Sequence, residues 1–433
     1  MNNILDFGAI GDGKTINTKA IQSAIDMGGT VYIPKGEFVT GTLYLKSNSG
    51  LHFENGAILK ASHDHNDYNA PDFCPQNEVF ESENMAGTHL ICAINECNIS
   101  ISGFGTIDGD SHFWVNENNK LPNSDFFNHP PKEANRPAQM IYFAECKNIK
   151  ITDINLVHSP FWHLFFHGCE DVIVKGVNIK GENKQWVNDG IDIDSCKRVT
   201  ISDSIIDTGD DAITLRAHSK RLVKSDGICE DIVINNCILK SHLDFGVRIG
   251  VGDGIIRNAM FSNIVIRDSL KGIGIINRFT PRNEGVSIEN IHFKDISISS
   301  HETFVIRTCN QENFTPTDKP YYTQNITFDG ICAHCDRGSY VTGYENTNIS
   351  DIQFRNVDMH FSKENPNNDR KGCNWRDVEH KDAPLYIRNA KDISLNNMRL
   401  YIEDEGNFTD EIIFNDTENI SKDVHILKNA RLV

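Results

Sequence analysis

A short phrase recurs from about residue 90 to the end of the chain, and it limits the possible folds more than any other feature. Each copy has an Asn or Asp, two hydrophobic residues separated by one other residue, a polar turn and a second alternating stretch. Four clear copies are CKNIKITDINLV, CEDVIVKGVNIK, CKRVTISDSIID and CEDIVINNCILK. Alternation with a period of two is typical of β-strands, and the Asn at the turns tolerates a left-handed backbone. Strands repeated at intervals of about 20 to 40 residues indicate a β-solenoid, in which successive coils stack on one another.

The repeats also decide the expected number of domains. A chain of 433 residues usually divides into two or more domains, but a solenoid grows by adding coils along one axis. We therefore predict an all-β fold with a single domain over residues 1–433. An amphipathic stretch that begins at Asn17 or Thr18 and ends at Gly28 and Gly29 predicts a short helix. This helix would cover the open end of the sheets, within an N-terminal cap of about residues 1–62.

Polar insertions that contain proline and aromatic residues interrupt the repeat. They cover about residues 63–88, 110–138, 308–323 and 361–384. In a solenoid, insertions on one face commonly form the walls of a binding groove. Each of them is equally well explained as a surface decoration without a function.

The charge balance excludes some classes of partner. The chain has 60 acidic and 42 basic residues, a net charge of -18, whereas nucleic acids and anionic membranes are bound by basic patches. An anionic substrate would have to be met by Arg or Lys close to the site. No basic segment followed by an apolar run begins the sequence, so we expect a cytoplasmic protein, or a secreted or periplasmic one if a signal has been removed.

The cysteines do not indicate a disulfide framework or a metal centre. Cys146, Cys169, Cys196 and Cys229 occupy the same position of the repeated phrase, which is typical of a small buried residue that stacks from coil to coil. The segments Cys332–Cys335 (CAHC) and His63–His65 (HDH) lack a second pair of ligands at a suitable spacing. We therefore expect no metal and no cofactor.

Three aspartates could form a catalytic group. Asp189 precedes Asp210 and Asp211 by 21 and 22 residues, which is about one coil. Since stacked strands lie about 4.8 Å apart, the three carboxylates would cluster on one sheet. Close carboxylates raise the pKa of at least one of them, and glycoside hydrolysis needs such an acid beside an ionised carboxylate. The alternative is that these aspartates occupy turns, as Asp153 and Asp203 are expected to do.

Four segments together resemble one enzyme family. The segments are FGAIGDGKTINTKAIQSAI, GTIDG, NDGIDI and GDDAITLR, and they are similar to glycoside hydrolase family 28, the polygalacturonases and rhamnogalacturonan hydrolases. The resemblance implies a right-handed parallel β-helix that hydrolyses pectic polymers with inversion and without a metal. It also implies that Asp210 is the general acid, and that Asp189 and Asp211 position and deprotonate the water. Arg216 stands where the family usually carries a substrate-binding Lys.

Other family motifs have changed. Val187 replaces an Asn before the first aspartate, and Phe245 and Arg248 replace a His and a Ser. The family's Arg-x-Lys, which grips galacturonate, falls on residues 274–276 (GII). We expect replacement contacts to the substrate from a set of cationic and hydrogen-bonding residues: Arg248, Arg278, His218 and His242.

The sequence thus favours an inverting glycosidase that cleaves a pectin-related or other acidic or deoxy-sugar oligosaccharide from one end of the sugar chain. Two alternatives remain open. One is a carbohydrate-binding or tailspike-like β-helix without catalysis, and the other is a polysaccharide lyase or epimerase. All three predict an oligosaccharide or polysaccharide partner, and none predicts the oligomeric state.

Overall fold

The computed structural model describes most of the chain, and the chain forms two compact units. The first unit holds Met1–Gly209 and Lys220–Asp226, and the second holds Asp210–Ser219 and Gly227–Val433. The described residues are 1–78, 86–114, 137–182, 187–278, 285–308, 321–343, 348–362, 383–403 and 411–428. The expectation of a single domain over residues 1–433 stays a prediction.

The first unit is built from short parallel strands. They are β1 (Asn2–Asn3), β2 (Asp12–Ile16), β3 (Gly29–Ile33), β4 (Gly36–Thr40), β5 (Leu43–Tyr44), β6 (Ser49–Phe53), β7 (Ala57–Ala61), β8 (Ile91–Ile94), β9 (Cys97–Gly103), β10 (Thr106–Asp108), β11 (Ile141–Ala144), β12 (Lys147–Thr152), β13 (Asn155–Val157), β14 (Leu164–His167), β15 (Glu170–Lys175), β16 (Asn178–Lys180), β17 (Ile191–Asp194), β18 (Lys197–Ser202) and β19 (Ile205–Thr208). Each strand pairs with the equivalent strand of the next coil. For example, Ile149 of β12 lies opposite Val172 of β15, which lies opposite Val199 of β18, and all three are buried. The alternation read from the repeat therefore separates an apolar inner face from an outer face.

A helix covers the apolar end of the first unit. Helix α1 (Thr18–Asp26) buries Ile21, Ala24 and Ile25. The residue before it, Asn17, does not cap it through its side chain; the amide oxygen accepts a hydrogen bond from the backbone N–H of Ile10 at 2.7 Å. The helix expected in the N-terminal cap is thus present. The described residues also form α2 (Ser111–Trp114) and two short 3₁₀ helices, Ile4–Phe7 and His65–Asp67.

The second unit continues the parallel pattern with longer strands. They are β20 (Ile213–Ala217), β21 (Ile228–Asn235), β22 (Ile238–Ser241), β23 (Phe245–Gly252), β24 (Ile255–Ile276), β25 (Ser287–Arg307), β26 (Tyr322–Cys335), β27 (Ser339–Thr342), β28 (Asn348–Phe361), β29 (Leu385–Ile402) and β30 (Ile412–Lys428). The rings of Phe261, Phe293, Phe328 and Phe354 stack in its core with centroid separations of 4.7, 4.9 and 5.0 Å. Each ring comes from a neighbouring parallel strand, so one phrase position of the repeat forms a continuous aromatic column.

The polar turns hold asparagines in the left-handed region, as the repeat predicted. Asn98 and Asn148 have φ of 57° and 54°, and the amide of Asn148 donates to the side-chain oxygen of Asn98 at 2.7 Å. The second unit has its own ladder, in which Asn325 donates to Asn290 at 2.7 Å. In each ladder, the side-chain amides form hydrogen bonds with one another from coil to coil, and these bonds keep the turns in register.

The repeated cysteines are buried, as expected for residues that stack inside the coils. Cys146, Cys169, Cys196 and Cys229 are all free thiols with no exposed surface. Of the four expected insertions, large parts (79–85, 115–136, 309–320 and 363–382) lie outside the described residues. Their role as groove walls stays a prediction. None of the helices in the described ranges combines the length and apolar character that crossing a bilayer requires.

Candidate active site

The first unit holds Asp189 in a buried hydrogen-bonded segment that precedes β17. Its neighbour Asn188 has no exposed surface, and the Asn188 amide donates to the carbonyls of Ser159 and Phe161 at 2.8 and 2.9 Å. The side-chain oxygen of Asn188 accepts from the N–H of Glu182 at 3.1 Å. Asn188 therefore ties the backbone beside Asp189 to two neighbouring segments of the first unit.

A neutral histidine fixes the backbone of Asp189 itself. Burial lowers the pKa of His163 to about 4, so the ring is uncharged near neutral pH. Its Nδ1 lies 2.9 Å from the carbonyl oxygen of Asp189, and the N–H of Ser159 lies 3.4 Å from its Nε2. These contacts assign a ring that donates through Nδ1 and accepts through Nε2. The sequence did not single out His163.

Val187 adopts a backbone conformation that is unusual for its type. It has a φ of 56°, in the left-handed region that a β-branched residue rarely adopts. An Asn adopts this backbone conformation more readily than a Val, which explains why an Asn suits this position in the family. The strained residue lies two positions before Asp189, where stored strain commonly accompanies function.

The second unit brings three carboxylates together. Asp210, Asp211 and Asp244 each place one carboxylate oxygen within 4.8 Å of the others, and we call them the acid cluster. Asp211 and Asp244 are each 1 % exposed, whereas Asp210 is 9 % exposed. Asp210 also accepts a hydrogen bond from the backbone N–H of Asp211 at 3.0 Å. The Asp-Asp pair predicted from the sequence is therefore buried beside a third acid, which the sequence analysis did not select.

Two buried cations pair with two of the three carboxylates of the acid cluster. Nη1 of Arg248 donates to Oδ2 of Asp211 at 3.1 Å, and the backbone N–H of Phe245 donates to Oδ1 at 3.1 Å. Nζ of Lys271 lies 3.5 Å from Oδ1 of Asp244. Both carboxylates of these pairs are thereby stabilised as anions. Arg248 was predicted to contact substrate, and its contact in the structure is with a site carboxylate.

Phe245 and Gly274, which stand at two positions where the family carries other residues, pack against each other. A Cβ added to Gly274 would lie 2.5 Å from Cε1 of Phe245, so the phenyl ring fills the space over this glycine. Lys271 lies opposite Phe245 in the sheet, and its ammonium group stands 5.1 Å from the centre of the phenyl ring. The residues at 245 and 274, where the family carries a His and an Arg, therefore lie against each other in this chain.

The other predicted binding residues lie in the second unit with different exposures. Arg216 is 8 % exposed in β20, two residues after Thr214, whose register partner in β23 is Arg248. Residues two apart on a strand share a face, so Arg216 lies on the same face of β20 as Thr214, although the register with β23 shifts between Leu215 and Ala217. Arg278 and His242 are also buried, whereas His218 is partly exposed.

The predicted catalytic residues are thus distributed over both units. Asp189 belongs to the first unit, and Asp210 and Asp211 belong to the second. Their predicted association stays a prediction. Asp244 and Lys271 could not be identified from the sequence pattern. The recurring alternation around them was the available signal, but it does not give the length of the coil that separates them from Asp211.

Stacked parallel strands with a helix over one end define the class of parallel β-helix proteins. Within that class, the chain belongs to glycosyl hydrolases family 28, whose profile matches residues 28–376. A probable polygalacturonase of Vitis vinifera is 29% identical over 83% of this chain and 74% of its own length. An exo-poly-alpha-D-galacturonosidase of Dickeya chrysanthemi is 23% identical over 84% of this chain and 68% of its own length.

Solved structures agree with the fold. The family 28 exopolygalacturonase of Yersinia enterocolitica has a TM-score of 0.72 and 19% identity, over 97% of this chain and 78% of its own. The predicted right-handed parallel β-helix and the predicted glycoside hydrolase are both confirmed. The chain is a hydrolase of the polygalacturonase family, and that family implies a polysaccharide substrate.

Proposed function

We propose that the chain hydrolyses the glycosidic bonds of a pectin-related or other acidic or deoxy-sugar oligosaccharide, with inversion and from one end of the substrate. Asp210 acts as the general acid, and Asp189 and Asp211 position and deprotonate the attacking water. The observation that carries this proposal is the acid cluster, in which Arg248 pairs with Asp211 while Asp210 keeps the largest exposed fraction of the three acids.

The division of labour follows from these contacts. An anion held by a guanidinium and a backbone N–H can accept a proton from water, so Asp211 suits the base role. Asp210 lies next to two other carboxylates, and repulsion between like charges favours a proton on one of the three. We assign this proton to Asp210. Inversion commonly uses carboxyls about 6.5–9.5 Å apart, and the cluster is tighter than that. The resemblance to the family motif assigns part of the activation of water to Asp189.

The residues expected to bind the substrate differ from those of a galacturonate-specific site. Phe245 and Gly274 stand where the family carries a His and an Arg, and the buried phenyl ring fills the space over Gly274. Arg216 lies two residues after Thr214, the register partner of Arg248, and a guanidinium group can bind a carboxylate or a group of hydroxyls. Cleavage from one end is supported by the name of the Dickeya chrysanthemi relative, an exo-acting enzyme.

The test is a comparison of Asp210→Asn with a matched aspartate in the same unit. Screening pectic oligosaccharides by mass spectrometry identifies a substrate, and proton NMR of the first product gives the anomeric outcome. Asp210→Asn should lower kcat about 10²- to 10⁴-fold while substrate binding is retained. Asp295→Asn, an exposed turn aspartate of β25, should keep the native kcat. Native turnover by Asp210→Asn, or an unsaturated product typical of a lyase, would refute the proposal.

A further inference from the structure

In three successive coils of the first unit, one strand of each coil ends at the same edge of the sheet. This arrangement brings together residues that are distant in sequence. Asp108 of β10 lies opposite Val157 of β13, and Val157 lies opposite Lys180 of β16. The chain then leaves each strand at the same edge. His112 follows on helix α2, His158 follows Val157 directly, and Glu182 lies two residues after Lys180.

These three side chains offer ligand atoms in one small volume, and we call them the imidazole cluster. Nε2 of His112 lies 3.3 Å from Oε1 of Glu182, and Nε2 of His158 lies 3.9 Å from the same oxygen. One ligand atom from each residue lies within 4.8 Å of the others. Donor atoms around a tetrahedral zinc ion, at about 2.0–2.1 Å from the metal, are about 3.3–3.4 Å apart. Small side-chain adjustments would therefore complete a three-ligand site.

A second carboxylate orients His158 as metal ligands are commonly oriented. Nδ1 of His158 lies 3.1 Å from Oδ1 of Asp108, and the same oxygen accepts the N–H of Asp110 at 2.9 Å. A histidine that donates through Nδ1 to a carboxylate presents the lone pair of Nε2. This Nε2 is the atom that faces Glu182. The contact with Asp108 is thus an independent observation that favours a ligand role for His158.

The surrounding charges favour a cation. Asp108, Asp110 and Glu182 lie close to the two imidazoles, and the whole chain carries a net charge of -18. Asp110 is held on its other side by Lys60 at 3.0 Å and His63 at 2.7 Å, which keeps this carboxylate outside the cluster. A divalent ion would therefore meet an acidic environment rather than a neutral one.

We propose that His112, His158 and Glu182 bind one divalent transition-metal ion, zinc in the first place. Two imidazole nitrogens with one carboxylate oxygen suit zinc, whereas calcium and magnesium prefer sites made of oxygen ligands alone. The ion would join three successive coils just beyond the ends of β10, β13 and β16. The site lies in the first unit, apart from the acid cluster of the second, and it does not depend on the proposed function.

The ordinary alternative is a network of protonated histidines paired with Glu182. Such a network raises the pKa of His158, mainly through its hydrogen bond with Asp108, and it binds no metal. The two explanations differ in what happens when zinc is added. A salt-bridge network has no stoichiometric site, whereas a metal site has a fixed stoichiometry that depends on all three residues.

The experiment titrates zinc into the full chain, free of any histidine tag and stripped of metal with a chelator, by isothermal calorimetry. Cobalt(II) absorption in the visible range reports the ligand set independently. We expect one equivalent with a micromolar or tighter Kd, and a loss of at least 100-fold in affinity in His158→Ala and in Glu182→Gln. Asp108→Asn keeps all three ligands and should weaken binding about 10- to 100-fold.

The matched control is His425→Ala, which removes an exposed histidine that lies 3.4 Å from Asp423 in the second unit. It should keep the native stoichiometry and affinity. His112 is 51% exposed, so His112→Ala should fold as the native chain does, which circular dichroism checks, and still lose the site. The proposal is overturned if the native chain takes up no zinc, or if folded His112→Ala binds zinc as the native chain does.

Discussion

At the residue scale, Arg248 and Asp211 form the ion pair at the centre of the acid cluster. Their side chains are 5% and 1% exposed. Removing one partner of a buried pair leaves the other charge without compensation, at a cost of about 3–5 kcal/mol. Arg248→Ala should therefore lower the free energy of unfolding by about that amount, as measured by denaturant titration. Arg267→Ala, which removes an exposed arginine beside Asp268, should change it by about 1 kcal/mol or less.

The same variant separates two roles of Arg248. An arginine that only contacts substrate would leave the stability of the free enzyme unchanged and would raise KM. An arginine that holds Asp211 would lower stability and kcat together. A native free energy of unfolding in Arg248→Ala would contradict the role in holding Asp211. The sequence could not distinguish these roles, because the partner carboxylate lies 37 residues away.

Phe245 and Gly274 also act as a pair. Gly274→Ala would place a methyl group against the ring of Phe245 at 2.5 Å, in a strand with no room on that side. We expect Gly274→Ala to destabilise the native chain and to cost less in a Phe245→Leu background. The interaction free energy from the double-mutant cycle should be about 0.5–3 kcal/mol. Additive effects of the two substitutions on the free energy of unfolding would show that the residues are not coupled.

At the scale of elements, the aromatic column of the second unit packs successive coils against one another. Phe293 stacks on Phe261 and on Phe328, and it has no exposed surface. Phe293→Ala should lower the free energy of unfolding by about 3–5 kcal/mol, since it removes contacts on both sides. Phe104→Ala, at a phenylalanine that is 67% exposed, should change it by about 0.5 kcal/mol or less. Equal effects of the two substitutions on chemical denaturation would contradict this view of the column.

The elements were predictable because each coil repeats its own pattern. The alternation of Ile149 and Ile151 is sufficient to assign an inner face, and their equivalents in the next coils are buried as expected. Helix α1 was also predictable from its apolar spacing. The lengths of the coils were not. Ile213 pairs with Val247, 34 residues later, whereas Val247 pairs with Ile273, only 26 residues later. Turns of different length decide which side chains meet, and no local pattern encodes them.

At the scale of the whole molecule, the acidic composition and the local chemistry act in opposite directions. A net charge of -18 repels an anionic polymer at long range, so an acidic substrate would depend on a few cations at the site. Two of the buried cations, Arg248 and Lys271, lie against carboxylates of the acid cluster. The sequence predicted the Asp210–Asp211 pair from its motif. It could not predict that Asp244 and Lys271 join it, because the register that aligns them depends on the turns between strands.

Among the described residues, two buried histidines, His89 and His163, should make the stability of the molecule depend on pH between 6.5 and 4, and His163 is the one that contacts the backbone of Asp189. Burial lowers the pKa of His163 to about 4, against 6.5 for an unperturbed histidine. The unfolded chain therefore binds a proton in this range while the folded chain does not, and stability falls as the pH falls. The difference corresponds to roughly 3 kcal/mol, fully present above pH 6.5 and lost by about pH 4. His163→Asn keeps a donor for the carbonyl of Asp189 but has no titrating group, so its free energy of unfolding should vary less over this range by about that amount. His425→Ala, at an exposed histidine, should keep the native pH dependence in denaturant titrations from pH 7.5 to 4.5. The same pH dependence in His163→Asn and in the native chain would mean that other groups govern the acid sensitivity.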